Sequence, residues 1–253
     1  MNITVFKKWP LALCLIALSF AIIGCDDDEA ETLEQNVSLK FNATFDGAPL
    51  NFNEAIMVDD HRFEMTTLNF YVSNMVFVKS DGTEDFYPDP VLINLGSTIS
   101  VIDQINLLVE PGDYESMRFS VGLDETANAV NAEAVEDTSS PVSATQNMYW
   151  GWAKAYVFIK LEGRYDTQAL GTEVWDQSFA YHMGSNEIYN EVSIDFNQNV
   201  SATERSEIEL DIDVKDIFFG DTDPIDINEQ PTSHVSLSPF VTRLSDNFVA
   251  AFE

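Results

Sequence analysis

Three histidines, His61, His182 and His234, two cysteines, Cys14 and Cys25, and seven methionines are the side chains of this chain that could hold a soft metal. No histidine has a second one at helical ligand spacing, so the HExxH type of metal site is absent. No GxSxG elbow supplies a nucleophile, and the eleven glycines are scattered at turns rather than gathered into a phosphate loop. With 43 Asp and Glu some carboxylates must lie close by chance, so their number alone does not imply a glycosidase pair. No enzyme motif remains, and a binding role is expected rather than catalysis.

Three segments keep chemical interest. In Phe179-Ala180-Tyr181-His182-Met183-Gly184 an imidazole, which suits copper or zinc, neighbours a thioether, which suits Cu(I). A histidine satisfied by a backbone carbonyl would read the same way. In Met148-Tyr149-Trp150-Gly151-Trp152 two indoles flank a glycine; on a strand, residues two apart share a face, so Trp150 and Trp152 are expected to stack. Either an aromatic core patch or a sugar-binding platform fits that pattern. The oxygen-rich run Asp221-Thr222-Asp223-Pro224-Ile225-Asp226-Ile227-Asn228-Glu229 lacks the spacing and turn glycine of an EF-hand, so a solvated loop is expected there and calcium is not.

The elements that must position these residues are strands. Val37–Phe45 alternates apolar and polar residues, the mark of a half-buried strand, and ends at the turn pair Asp46-Gly47. Residues 68–78 are rich in β-branched and aromatic types. Further strands are expected at Val91–Leu95, 114–123, 155–163, 175–183, 191–196 and 208–214. Helix is scarce: a turn or two at 101–108 and at Val214–Phe219. The expected fold is all-β, a single-domain antiparallel β-sandwich over 37–253 with long loops near 124–147 and 220–238.

The first 24 residues read as an address. Lys7 and Lys8 precede an apolar stretch, and Ile22-Ile23-Gly24-Cys25 has the apolar, apolar, small, Cys order of a bacterial lipoprotein cleavage site. Cys25 is therefore expected to carry the lipid, and the uncleaved anchor is the bland alternative. Loss of residues 1–24 would remove Cys14 and leave no free thiol. Residues 25–36 form an acidic tether; Asp26-Asp27-Asp28-Glu29 resembles the export signal that sends Bacteroidetes lipoproteins to the cell surface. An outer-membrane lipoprotein, facing either the cell surface or the periplasm, is the expected location.

Charge narrows the partners. Twelve Lys and Arg against 43 acids give −31, and −33 once Lys7 and Lys8 leave with the signal. Such a surface repels phosphate backbones, so nucleic acid is not an expected partner. Hydrophobic residues at 45% and aromatics at 12% exclude a disordered acidic chain. No second apolar run is long enough to span a bilayer, so the lipid is the expected membrane contact.

Several of these segments in order resemble the MbnP family of copper-binding extracytoplasmic proteins, above all its Bacteroidetes-type lipoproteins. The likeness rests on Leu39-Lys40-Phe41 with Asp46-Gly47, on Leu68-Asn69-Phe70-Tyr71-Val72-Ser73-Asn74, and on Gly112-Asp113-Tyr114 with Met117-Arg118-Phe119 and Val121-Gly122-Leu123-Asp124. The runs at 148–163 and 179–184 carry most of it, and Asn247-Phe248-Val249-Ala250-Ala251-Phe252 closes it. The resemblance implies a copper ligated by His together with a Trp oxidised to kynurenine by a dihaem partner of the MbnH type. By position Trp150 would be the modified residue and His182 a ligand, with Met148, Met183 and His61 as additional candidates and His234 as a spare. The chain departs from the family where many relatives have a first-strand His, since Asn42, Ala43 and Thr44 stand there, and where some have a His at the position of Trp152. The rival expectation is a surface adhesion or ligand-binding sandwich without metal.

Overall fold

The computed structural model describes residues 32–96, 101–168 and 174–253; the expected signal, Cys25 and the start of the tether lie outside them. Strand β1 (Val37–Phe45) turns through Asp46-Gly47 into the short β2 (Ala48–Pro49), and β3 (Ile56–Val58) leads into the 19-residue β4 (His61–Lys79). Then come β5 (Glu84–Tyr87), β6 (Val91–Leu95), β7 (Gln104–Leu107) and β8 (Gly112–Val121). One turn of helix, α1 (Glu125–Asn128), precedes β9 (Tyr149–Trp150), β10 (Ala155–Tyr156), β11 (Ile159–Tyr165) and β12 (Gln177–Met183). The remaining elements are β13 (Asn190–Val200), β14 (Ser206–Asp213), α2 (Val214–Phe219), β15 (Thr232–Ser233) and α3 (Pro239–Ala250).

Among the described residues the strands form a nine-stranded sheet in the order β13-β8-β4-β11-β12-β15, with β3, β5 and β6 on β4, and a smaller sheet in which β1 lies between β14 and the pair β2 and β7. The result is an all-β sandwich with few helices. Most pairs are antiparallel, but β1–β14 and β12–β15 run parallel. Alternation sends Val37, Leu39 and Phe41 of β1 inward, where the Phe41 ring lies edge-on 5.6 Å from Phe70 and 6.1 Å from Phe119. Phe252, after α3, closes on the same two rings at 5.8 and 5.3 Å. Each such ring removed from water contributes roughly 2–3 kcal/mol, so the two sheets are held chiefly by aromatic burial.

The long strand β4 changes partners midway. Its first half pairs with β11 and its second with β8, and the changeover coincides with a register shift after Ser73 and a left-handed Asn74 at φ 50°. Gly122, at φ 113°, ends β8 there; a side chain at that position would strike the Phe158 ring. The 124–147 loop is pinned over this point by Tyr71, whose hydroxyl donates to the Pro141 carbonyl at 2.8 Å, and by Tyr156, which donates to Val142 at 2.7 Å. Burial raises both phenols, Tyr156 to about 12, so both remain donors at ordinary pH.

Three sequence expectations need correction. Residues 101–108 were expected to be helical, yet Gln104–Leu107 is strand β7, because Ile105 must be buried against β1 while Gln104 and Asn106 face water. The strand expected at 155–163 breaks after Tyr156, where the chain leaves its pairing with β9 and Phe158 N donates to the Met183 carbonyl at 2.6 Å. The 12-residue helix α3 was missed altogether. Its start is written in Ser238-Pro239: the serine hydroxyl accepts from Val241 N at 3.1 Å, and proline occupies the first turn, where no N–H is needed.

Candidate functional site

Strand pairing assembles a polar row on the outer face of the large sheet. Lys160 on β11 lies opposite His182 on β12 and opposite Asn69 on β4, and Asn69 in turn faces Asn94 on β6. Glu162, two residues on from Lys160 and so on the same face, lies opposite Thr67. The Glu162 carboxylate gathers its neighbours: His182 Nε2 is 2.7 Å from Oε1, Lys160 Nζ is 3.6 Å from the same oxygen, and Thr67 Oγ1 donates to Oε2 at 3.2 Å. The His182 hydrogen bond, ahead of Lys160, pulls this carboxyl well below the ordinary range, to about 2, against the opposing effect of burial.

The parallel pairing of β15 with β12 adds the second imidazole. Ser233 lies opposite Tyr181, so His234 emerges beside His182, and the two rings meet edge to face with centroids 4.5 Å apart. His182 is held from one side by Glu162, which leaves its Nδ1 without a hydrogen bond; neither nitrogen of His234 has a protein partner among the described residues. Desolvation, and then the neighbouring His182, lower the affinity of His234 for a proton, which keeps a nitrogen lone pair available. A carboxylate orienting one ligand imidazole is the usual outer support of a metal-bound histidine. Among the described residues no three His, Cys, Asp or Glu side chains are grouped to hold a metal ion, so any ion here would rest on the two imidazoles.

The other residues singled out from the sequence lie elsewhere. Met183 follows His182 but points to the opposite, inner face, and it is fully buried, as is Met148. His61 hydrogen-bonds through Nδ1 to the Asp166 carbonyl at 2.8 Å and stacks on Tyr165. Trp150 is 6% exposed and its Nε1 is buried with no acceptor, whereas Trp152 is 75% exposed. Their rings lie 5.9 Å apart and tilted by 38°, but a tight turn at 151–154 brings them together rather than the continuous strand expected, with Lys154 at φ 52°. No hydrogen bond or ring contact joins Trp150 to His182 among the described residues. The acidic run at 221–229 serves local structure: Asp226 accepts from the backbone of Asn228 at 2.9 Å and Glu229 at 3.2 Å.

The sequence did not reveal Glu162, Lys160 and Thr67. β11 alternates regularly, with Lys160, Glu162 and Arg164 on the face opposite Ile159 and Leu161, so nothing in its sequence marks Lys160 as buried or Glu162 as half-buried. Gly184 completes the setting, since any side chain there would collide with the Tyr156 carbonyl and push β12 away from the 148–158 hairpin.

Comparison with solved structures finds MbnP from Methylosinus trichosporium, with a TM-score of 0.50 and 14% identity over 83% of this chain and 86% of that one, a likeness of fold. No curated protein matches the chain. The family model described as MbnP matches residues 34–236, which include the four strands of the polar row and His234, and the chain thus belongs to the MbnP family.

Proposed function

We propose that this chain is a lipid-anchored extracytoplasmic binding protein that holds copper, with His182 and His234 as the ligands and Glu162 as the support that orients His182. The observation that carries this reading is the imidazole pair with centroids 4.5 Å apart, one ring fixed by a carboxylate through Nε2. Two imidazoles and no thiolate suit copper in either common oxidation state, and copper would supply redox or carrier chemistry when bound. The chain's own part is to present the two rings, to hold Glu162 ionised, and to shield Lys160 inside the row.

Copper titration of the purified chain, with dialysis against a competing chelator, tests this. About one tightly bound copper per chain is expected, and His182→Ala or His234→Ala should each weaken it by roughly tenfold to a hundredfold. Unchanged copper binding by the double variant would overturn the assignment.

The family resemblance also makes Trp150 a candidate for oxidation by a dihaem partner of the MbnH type. Its indole N–H, buried without an acceptor, supports that role, and peptide mass spectrometry of protein from the native host would read it out. A second reading, a metal-free surface module that binds aromatic or sugar rings, draws on the 75% exposure of Trp152. Quenching of Trp152 fluorescence by an added glycan, with no bound copper, would favour it.

A further inference from the structure

A cavity of about 630 Å³ opens on the outer side of the smaller sheet, where β1 passes from β7, its partner up to Lys40, to β2, its partner from Thr44. Leu50, Phe52 and Leu95 give it an apolar wall, and Asp103, Glu209 and Asp211 give it an acidic one. The acids are there by periodicity. On β14, Ile208, Leu210 and Ile212 face the core, so Glu209 and Asp211 must face out, in register with Lys40 and Asn42 of β1. The Asn42 amide donates to Glu209 Oε2 at 3.1 Å and to Asp211 Oδ1 at 3.0 Å, which orients the carboxylates without neutralising them. The cation paired with them is Lys40, 3.8 Å from Glu209 Oε1 on a half-exposed side chain.

Thr44 also lines this cavity, but its Oγ1 is sealed from solvent, so an occupant meets the carboxylates rather than the hydroxyl.

We propose that this cavity binds a small primary amine carried on an apolar body, with the ammonium held by Glu209 and Asp211, Asp103 adding its charge, and the apolar part against Leu50, Phe52 and Leu95. An ammonium has three N–H donors, enough for two carboxylates and a water at once. The volume is that of a pocket for a small organic molecule, with a largely apolar wall and a few convergent polar groups. A bare metal ion fits less well: among the described residues no three acids are grouped closely enough to hold one, and the apolar wall would stay uncovered. The net charge of −31 raises the local concentration of any cation. The site shares no residue with the proposed copper centre and does not depend on it.

Calorimetric titration of the purified chain with phenethylamine tests the proposal, with phenethyl alcohol as the uncharged analogue and calcium chloride as the competing ion. Saturable one-site binding of the amine is expected, with none by the alcohol. Asp211→Asn should weaken it roughly tenfold, and Asp103→Asn by a smaller factor. Asp211→Asn keeps an oxygen for the Asn42 amide, so its melting temperature should hold while affinity falls, a pattern that misfolding would not produce. Absence of saturable amine binding, equal binding of the alcohol, displacement by stoichiometric calcium, or parental affinity in folded Asp211→Asn would each overturn it.

Discussion

Glu162 gains its character from where one strand places it. Sitting on the outer face of β11, it meets His182 from β12, Lys160 two residues back and Thr67 from β4, and His234 stands just beyond His182. Its depressed pKa, about 2 against an ordinary 4.5, means that the folded state holds this carboxylate charged more firmly than the unfolded chain does. The stabilisation is therefore complete above pH 4.5 and disappears as pH falls through about 2. The side chain is 31% exposed, so solvent screens part of the effect, and on the order of 1–2 kcal/mol remains. Glu162→Gln is expected to lose that much by urea denaturation at pH 7, and the gap between variant and parent should close on acidification toward pH 2. A gap constant with pH would mean that the residue acts through packing rather than charge. His182 stood out in the sequence because its neighbours are aromatic and sulfur-bearing, but adjacency in sequence put Met183 on the wrong face. The residues that do meet His182 come from β11 and from the segment after β15, and pairing register is not visible in a single chain.

At the scale of elements, the parts whose residues repeat cleanly were the easiest to read. Val37–Phe45 alternates through nine residues and Val91–Leu95 is a β-type apolar run broken only by Asn94, and both strands stand where expected, as does the short helix Val214–Phe219. Residues 101–108 misled because Ile and Leu at mixed spacing suit either period, and only the edge of β1 decides between them. Helix α3 could have been read from its cap, Ser238-Pro239, followed by Val241, Leu244 and Phe248 on one face. That helix matters to the whole sandwich, since Phe248 packs 5.3 Å from Phe70 and the chain beyond it pairs with β14 through Phe252. Ser238→Ala is expected to cost about 1 kcal/mol by removing the acceptor for Val241 N. The loss should appear in chemical denaturation as a lower midpoint with an unchanged slope. An effect below about 0.3 kcal/mol would show that proline at the first turn suffices to start the helix.

The molecule as a whole carries its charge as a property of the surface rather than of its pairs. Each ion pair of the described fold, from Arg62–Asp166 to Lys215–Asp46, consumes one of only twelve Lys and Arg, so most of the 43 acids face water without a cation. On the outer face of β14, Glu207, Glu209, Asp211 and Asp213 follow at every second residue, and Asp213 alone is committed to backbone N–H groups, those of Asp46, Gly47 and Lys215. Repulsion among such charges opposes the compact state, and screening weakens it as the Debye length falls from about 10 Å at 0.1 M salt to about 3 Å at 1 M. The ion pairs respond in the opposite sense, but they are few and mostly exposed, so each is worth little. Sodium chloride is therefore expected to stabilise this protein, raising its melting temperature by several degrees between about 0.02 and 0.5 M in a calorimetric scan at pH 7. Lowering the pH to 5 in dilute buffer leaves most acids ionised and should not replace that gain. A melting temperature that fell with salt would mean that the few ion pairs, rather than the surrounding excess of carboxylates, set the electrostatic balance.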